Sequence, residues 1–185
     1  MLVLIVLLGG LIAFRALGAL GVRRLESWPS SAAHAMAAML VLTAGAHFVP
    51  SGVTVMPNHA DMVAIVPPVV PFADAMVYAT GVLEVLGAVG LVITATRWAA
   101  AVGLAVLYVL LLPANIYAAV EDIPFHGEAP TPLVQRIPEQ LLYIAIALWI
   151  ARSAELPQKL KMLLTKAPSR SDELSRRPST RTGSR

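Results

Sequence analysis

Cysteine is absent from all 185 residues, and only 14% of them are charged. The first absence excludes disulfides, thiolate metal sites and any thiol redox chemistry performed by the chain itself. The second stands against roughly 25% in soluble domains, a deficit that points to a protein solvated mainly by lipid. No phosphate-cradling glycine loop, nucleophile elbow or HExxH motif occurs, and Asn58-His59-Ala60 is no glycosylation sequon. What is there instead is a 57% hydrophobic composition, in which 14 Pro and 12 Gly interrupt long apolar runs. A formal net charge of +3 raises the question of nucleic acid, but the placement of the charges, set out below, excludes that partner.

A helix crosses the hydrocarbon core with about 20 apolar residues. Five stretches meet or approach this: Leu2–Val22, Ala32–Val49, Ala75–Ala95, Trp98–Val120 and Ile137–Ala151. The fifth is short and extends outward to Pro132 if a kink at Pro138 is accepted. Ser30 and Ser31 are candidate caps for the second, and Thr131 before Pro132 reads as a cap for the fifth. The first stretch has its basic residues, Arg15, Arg23 and Arg24, at the end opposite to a signal peptide's, so it is expected to be retained.

Lys and Arg predict the orientation. Arg23 and Arg24 follow the first helix, Arg97 joins the third to the fourth, and nine basic against three acidic residues follow Ala151. These connections are expected in the cytoplasm. Pro50 to Asp74 contains no Lys or Arg, and Glu121 to Arg136 has three acids and one Arg. These are expected outside, which puts the N-terminus outside and the C-terminus in the cytoplasm of an inner-membrane protein. The domain plan is an N-terminal helix (1–22), a four-helix membrane domain (32–151), a basic interfacial segment (152–167) and a disordered tail (168–185). The lysines and leucines of 157–166 suit an anionic membrane surface, and the Ser, Arg, Thr and Pro beyond them cannot build a core.

Ionisable groups at lipid depth are costly, at least about 2.5 kcal/mol on the lenient scale, and so face a partner or a cavity. Glu84 lies about nine residues from the outer end of its helix, roughly 14 Å deep at 1.5 Å per residue. Thr80 is one turn above it, and Gly81 and Ala88 let a neighbouring helix approach. By the same depth arithmetic His47, Asn115 and Gln140 fall in the outer half, with Arg136 and Glu139 at the rim. Pro113 removes a backbone donor that polar neighbours must replace. The reading is an outward-facing polar pocket whose ligand-binding residues are His47, Thr80, Glu84, Asn115, Arg136 and Gln140; the plainer reading of the same residues is interhelical hydrogen bonding alone. Arg15 is expected to snorkel toward the cytoplasmic interface rather than to pair with Glu84. The outer loops hold His59 and Asp61, a two-ligand pattern too common to predict a metal.

Gly45-Ala-His47-Phe48, Met56-Pro57, Thr80-Gly81-Val-Leu-Glu84-Val-Leu-Gly87-Ala88-Val-Gly90-Leu91, Arg97 with Ala99-Ala100, Pro113-Ala-Asn115-Ile-Tyr117, Arg136-Ile-Pro138-Glu-Gln140 and Trp149 occur in that order. Together they resemble the DoxX-like family of small bacterial membrane proteins over residues 32–151. The resemblance implies an all-α, polytopic membrane bundle with a four-helix core, to which the first helix is an addition. It also brings a link to thiosulfate:quinone oxidoreductase and to oxidative-stress complexes. Activity does not follow from fold, and a chain with no cysteine would need a bound quinone or a partner to carry electrons. The expected function is therefore an accessory or small-ligand-binding subunit rather than a stand-alone enzyme. The alternatives are a quinone-linked oxidoreductase component and a small transporter, against which the lack of internal symmetry counts. The expected partners are the lipid bilayer and a membrane redox complex or a second copy of the chain.

Overall fold

The computed structural model describes residues 2–154, and Met1–Glu155 form one compact unit. The expected interfacial segment beyond Ala154 and the tail lie outside the described residues. The order is α1 (Leu2–Ala19), a 3₁₀ turn (Arg23–Leu25), α2 (Trp28–Phe48), the short α3 (His59–Ala64), α4 (Ala73–Val92), α5 (Arg97–Val120) and α6 (Leu133–Ser153). No strand occurs among the described residues. All of these helices except α3 are long and apolar enough to cross a membrane, as a multi-pass membrane protein requires.

Helices adjacent in sequence are adjacent in space. α2, α4, α5 and α6 pack in turn, α6 returns to α2, and α1 packs mainly against α2. This is the expected four-helix bundle with one added helix. Its centre is built from small residues and methionine on α2 (Ala33, Ala35, Met36, Met39, Leu40), which meet Leu91 of α4, Ala101 and Leu104 of α5, and Ala147 and Ile150 of α6. Small side chains bring helices close enough for dispersion to hold them where lipid offers no hydrophobic drive. The outward faces carry Leu83, Leu86 and Val89 on α4 and Val106, Val109 and Leu110 on α5, all exposed. An apolar face of that extent calls for lipid.

Local chemistry corrects several expected helix ends. α1 stops at Ala19 rather than Val22, because Gly21 takes φ +101 and a Cβ on Gly18 would run into the Leu25 carbonyl, so the chain reverses tightly here. α2 starts at Trp28, four residues before the expected Ala32. Its cap is Ser27, which accepts the Ser30 N–H at 3.3 Å, with Pro29 at the second position. Ser30 and Ser31 are not the caps; their hydroxyls donate back to the carbonyls of Arg24 and Leu25. α6 runs through Pro138 and starts at Leu133, with Pro132 and not Thr131 in the cap position. At the α4–α5 turn the Thr96 hydroxyl donates to the Gly90 carbonyl at 3.0 Å, and Arg97 Nε donates to that of Leu91 at 2.7 Å. Both bonds satisfy carbonyls that a helix end leaves open.

Candidate functional site

α2 and α4 run antiparallel, and each offers two polar residues one turn apart: Thr43 and His47 on α2, Thr80 and Glu84 on α4. Residues four apart share a helix face, so the two pairs meet crosswise. The Thr43 hydroxyl donates to Glu84 Oε2 at 2.8 Å, and Thr80 Oγ1 lies 3.3 Å from His47 Nδ1. The approach depends on Gly81, where a Cβ would stand 2.5 Å from the His47 Cβ and 3.0 Å from Phe48 Cζ. Glu84 and His47 are 5% and 3% exposed. Glu84 is eleven residues into α4, about 16 Å along its axis and near the middle of the helix.

His47 Nδ1 lies 2.7 Å from the Val77 carbonyl. A carbonyl only accepts, so this nitrogen carries the hydrogen. The other nitrogen, Nε2, faces Glu84 Oε1 at 3.8 Å, which is too long for a hydrogen bond, and it has no hydrogen-bond partner among the described residues. The buried Tyr108 hydroxyl likewise has none. A buried polar atom without a partner costs about 1–3 kcal/mol, so His47 Nε2 and the carboxyl oxygen facing it mark a place where a further polar group would be stabilised.

Asn115, Arg136 and Gln140 form a second group on α5 and α6. Arg136 Nε donates to Asn115 Oδ1 at 3.1 Å, Asn115 Nδ2 to Gln140 Oε1 at 3.3 Å, and Gln140 Nε2 to the Tyr108 carbonyl at 2.7 Å. That carbonyl directly precedes the Val109 carbonyl, the one Pro113 leaves without its helical donor. The six expected residues therefore stand in two groups, His47–Thr80–Glu84 and Asn115–Arg136–Gln140. Tyr108 joins the second through its backbone carbonyl. Thr43 and Tyr108 belong to the site and were not among the expected residues. Spacing could have found Thr43, which is one turn before His47 on the same face; no local pattern marks Tyr108.

α3 covers this end of the bundle. Asn58 and Asp61 form a reciprocal capping box, and His59 Nδ1 donates to the His47 carbonyl at 2.8 Å. The His59 ring stacks on Tyr78 at 4.1 Å between centroids and reaches Asp74 at 3.3 Å, while His126 pairs with Asp61 at 3.2 Å. His59 and Asp61 thus serve separate partners. No group of three or more metal-ligating side chains occurs among the described residues. Arg15 places its guanidinium 5.6 Å from the Trp28 ring centre, directed to the other end of the bundle and away from Glu84.

Comparison with known proteins gives one match: the family described as Domain of unknown function (DUF8561) covers residues 36–151. The matched stretch includes every residue of both polar groups and leaves out α1. No curated protein and no solved structure matches the chain.

Proposed function

We propose that this chain, which belongs to the DUF8561 family, is an accessory membrane subunit that holds the polar head of a small lipid-soluble ligand between His47 and Glu84. The observation that carries this reading is the pair of facing atoms, His47 Nε2 and Glu84 Oε1, buried 3.8 Å apart without a bond between them. A hydroxyl entering there can donate to the imidazole and accept from a protonated carboxyl.

The Lys and Arg distribution supports an inner-membrane protein with the Arg97 end in the cytoplasm and the His47 end outside. On that orientation the His47–Glu84 pair lies in the outer half of the bundle beneath α3, with Asn115, Arg136 and Gln140 as a separate polar group on α5 and α6. The DoxX-like resemblance over residues 32–151 fits a subunit that works beside a redox partner. Quinol is the alternative ligand: its hydroxyl matches the same two atoms.

The test is solvent extraction of the purified protein followed by mass spectrometry of the lipids it retains. Wild type should keep one polar-headed species near one per chain, and His47→Leu and Glu84→Leu, at equal folded yield, should lose it. Equal retention by all three proteins would overturn the ligand role, and a quinone mass in the wild-type extract would select the alternative.

A further inference from the structure

At the end of the bundle away from α3, the α1–α2 and α4–α5 connections enclose a cavity of about 340 Å³. Three arginines line it, Arg23, Arg24 and Arg97, and Glu26 is the one acidic residue on its wall. Two positive charges are therefore in excess. Arg97 is fixed in place by its bonds to the Leu91 carbonyl at 2.7 Å and the Val92 carbonyl at 3.3 Å, and these occupy only part of its donor set. The side chains of Arg23 and Arg24 are exposed and have no hydrogen-bond or ion-pair partner among the described residues. Ser27, the cap of α2, and Thr94, just before α5, complete the wall. The starts of α2 and α5 and the end of α4 all meet here, so the net positive charge of the wall comes from the arginine side chains and not from helix dipoles.

The depth of the cavity is marked independently. Trp28 begins α2, Trp98 stands at the start of α5 and Trp149 lies in the last turns of α6, so all three tryptophans of the chain sit at this end. Tryptophan concentrates at the level of lipid headgroups, and Arg15 reaches toward Trp28 from deeper in the bundle. The arginines therefore stand where membrane phosphates stand.

We infer that the Arg23–Arg24–Arg97 cavity binds a phosphate group. Guanidinium forks match phosphate oxygens two at a time. The phosphate comes either from the head of an anionic lipid or from free phosphate. The lipid source rests on the membrane reading given above. The site itself is independent of His47 and Glu84.

The full chain, reconstituted in phosphatidylcholine discs, is titrated with phosphatidylglycerol in one arm and inorganic phosphate in the other. Tm and the number of anions retained in native mass spectrometry are read together. Wild type should saturate at one anion per chain. Arg24→Gln should weaken that binding about fivefold or more, whereas Arg152→Gln, which removes an equal charge at the same end but outside the cavity, should leave it unchanged. Saturation by phosphatidylglycerol alone assigns the site to lipid, and saturation by phosphate in plain phosphatidylcholine assigns it to the free ion. No saturable response to either anion, or equal weakening in the two variants, would overturn the site. The Tm of each variant without added anion reports folding separately.

Discussion

Replacing Glu84 with Gln keeps the shape of the side chain and its capacity to accept from Thr43, but deletes the titratable proton. If Glu84 only ties α4 to α2, the Gln protein should match wild type in Tm and in any cellular phenotype, since membrane hydrogen bonds average about 0.6 kcal/mol each. If Glu84 holds a ligand, Gln should fold within about 1 kcal/mol of wild type yet fail to complement a deletion strain. Full complementation at equal expression would remove the carboxyl from the mechanism. Glu84, His47 and Thr80 were legible in the sequence because a carboxyl at lipid depth needs partners, and residues four apart share a face. The division of the polar residues into two groups was not legible. Depth along a helix says nothing about rotation around it, so Asn115 and Gln140 could be placed at the right level but not beside the right neighbour. The 3.8 Å separation of His47 from Glu84 depends on how closely α2 and α4 pack, which no local pattern encodes.

α4 acts as a plate between two neighbours, and glycine sets the spacing on both sides. Gly81 receives His47 of α2, while Cβ atoms on Gly87 and Gly90 would stand 2.6 Å from Leu104 Cδ2 and 2.7 Å from the Ala100 Cβ of α5. Gly81→Ala must push α2 outward and should cost about 1–3 kcal/mol, read as a lower Tm together with loss of the retained ligand. Gly103→Ala is the matched control. That position is exposed with nothing within 4 Å, so alanine there should be neutral or stabilising by up to about 1 kcal/mol. Equal destabilisation by both changes would mean that close approach at Gly81 is not what positions His47. The existence of five long helices followed from run length alone. Their ends did not: Ser30 and Ser31 were the expected caps, but the tertiary position of the 3₁₀ turn diverts their hydroxyls to Arg24 and Leu25, and Ser27 caps α2 instead.

Across the whole molecule, Arg23, Arg24, Arg97 and Arg152 stand at one end and Asp61, Asp74 and Glu121 at the other, as the alternation of the helices requires. A naturally cysteine-free chain allows this polarity to be tested with Val55→Cys and Ala95→Cys, both at exposed positions. An impermeant thiol reagent added to intact cells should label position 55 and not 95, and the opposite result would invert the assigned topology. The charge asymmetry was legible without coordinates because it lies in connections rather than in packing. The closure of α6 onto α2 was not, since it joins segments about 100 residues apart through small apolar contacts that no local signal records. The packing of α1 on α2 also bears on how the chain enters the bilayer during synthesis. α2 is the most buried of the long helices and carries His34, Thr43 and His47, so by itself it would partition poorly into hydrocarbon. α1 is lined with leucine, isoleucine and valine and places Phe14 5.9 Å from the His34 ring and Gly10 against Ala35. Emerging from the ribosome before α2, it gives that helix a surface to insert against, so the two should integrate as one hairpin. Exchanging α1 for an unrelated leucine-rich span should then leave α2 accessible to protease in isolated membranes, and unchanged protection would show that α2 inserts unaided.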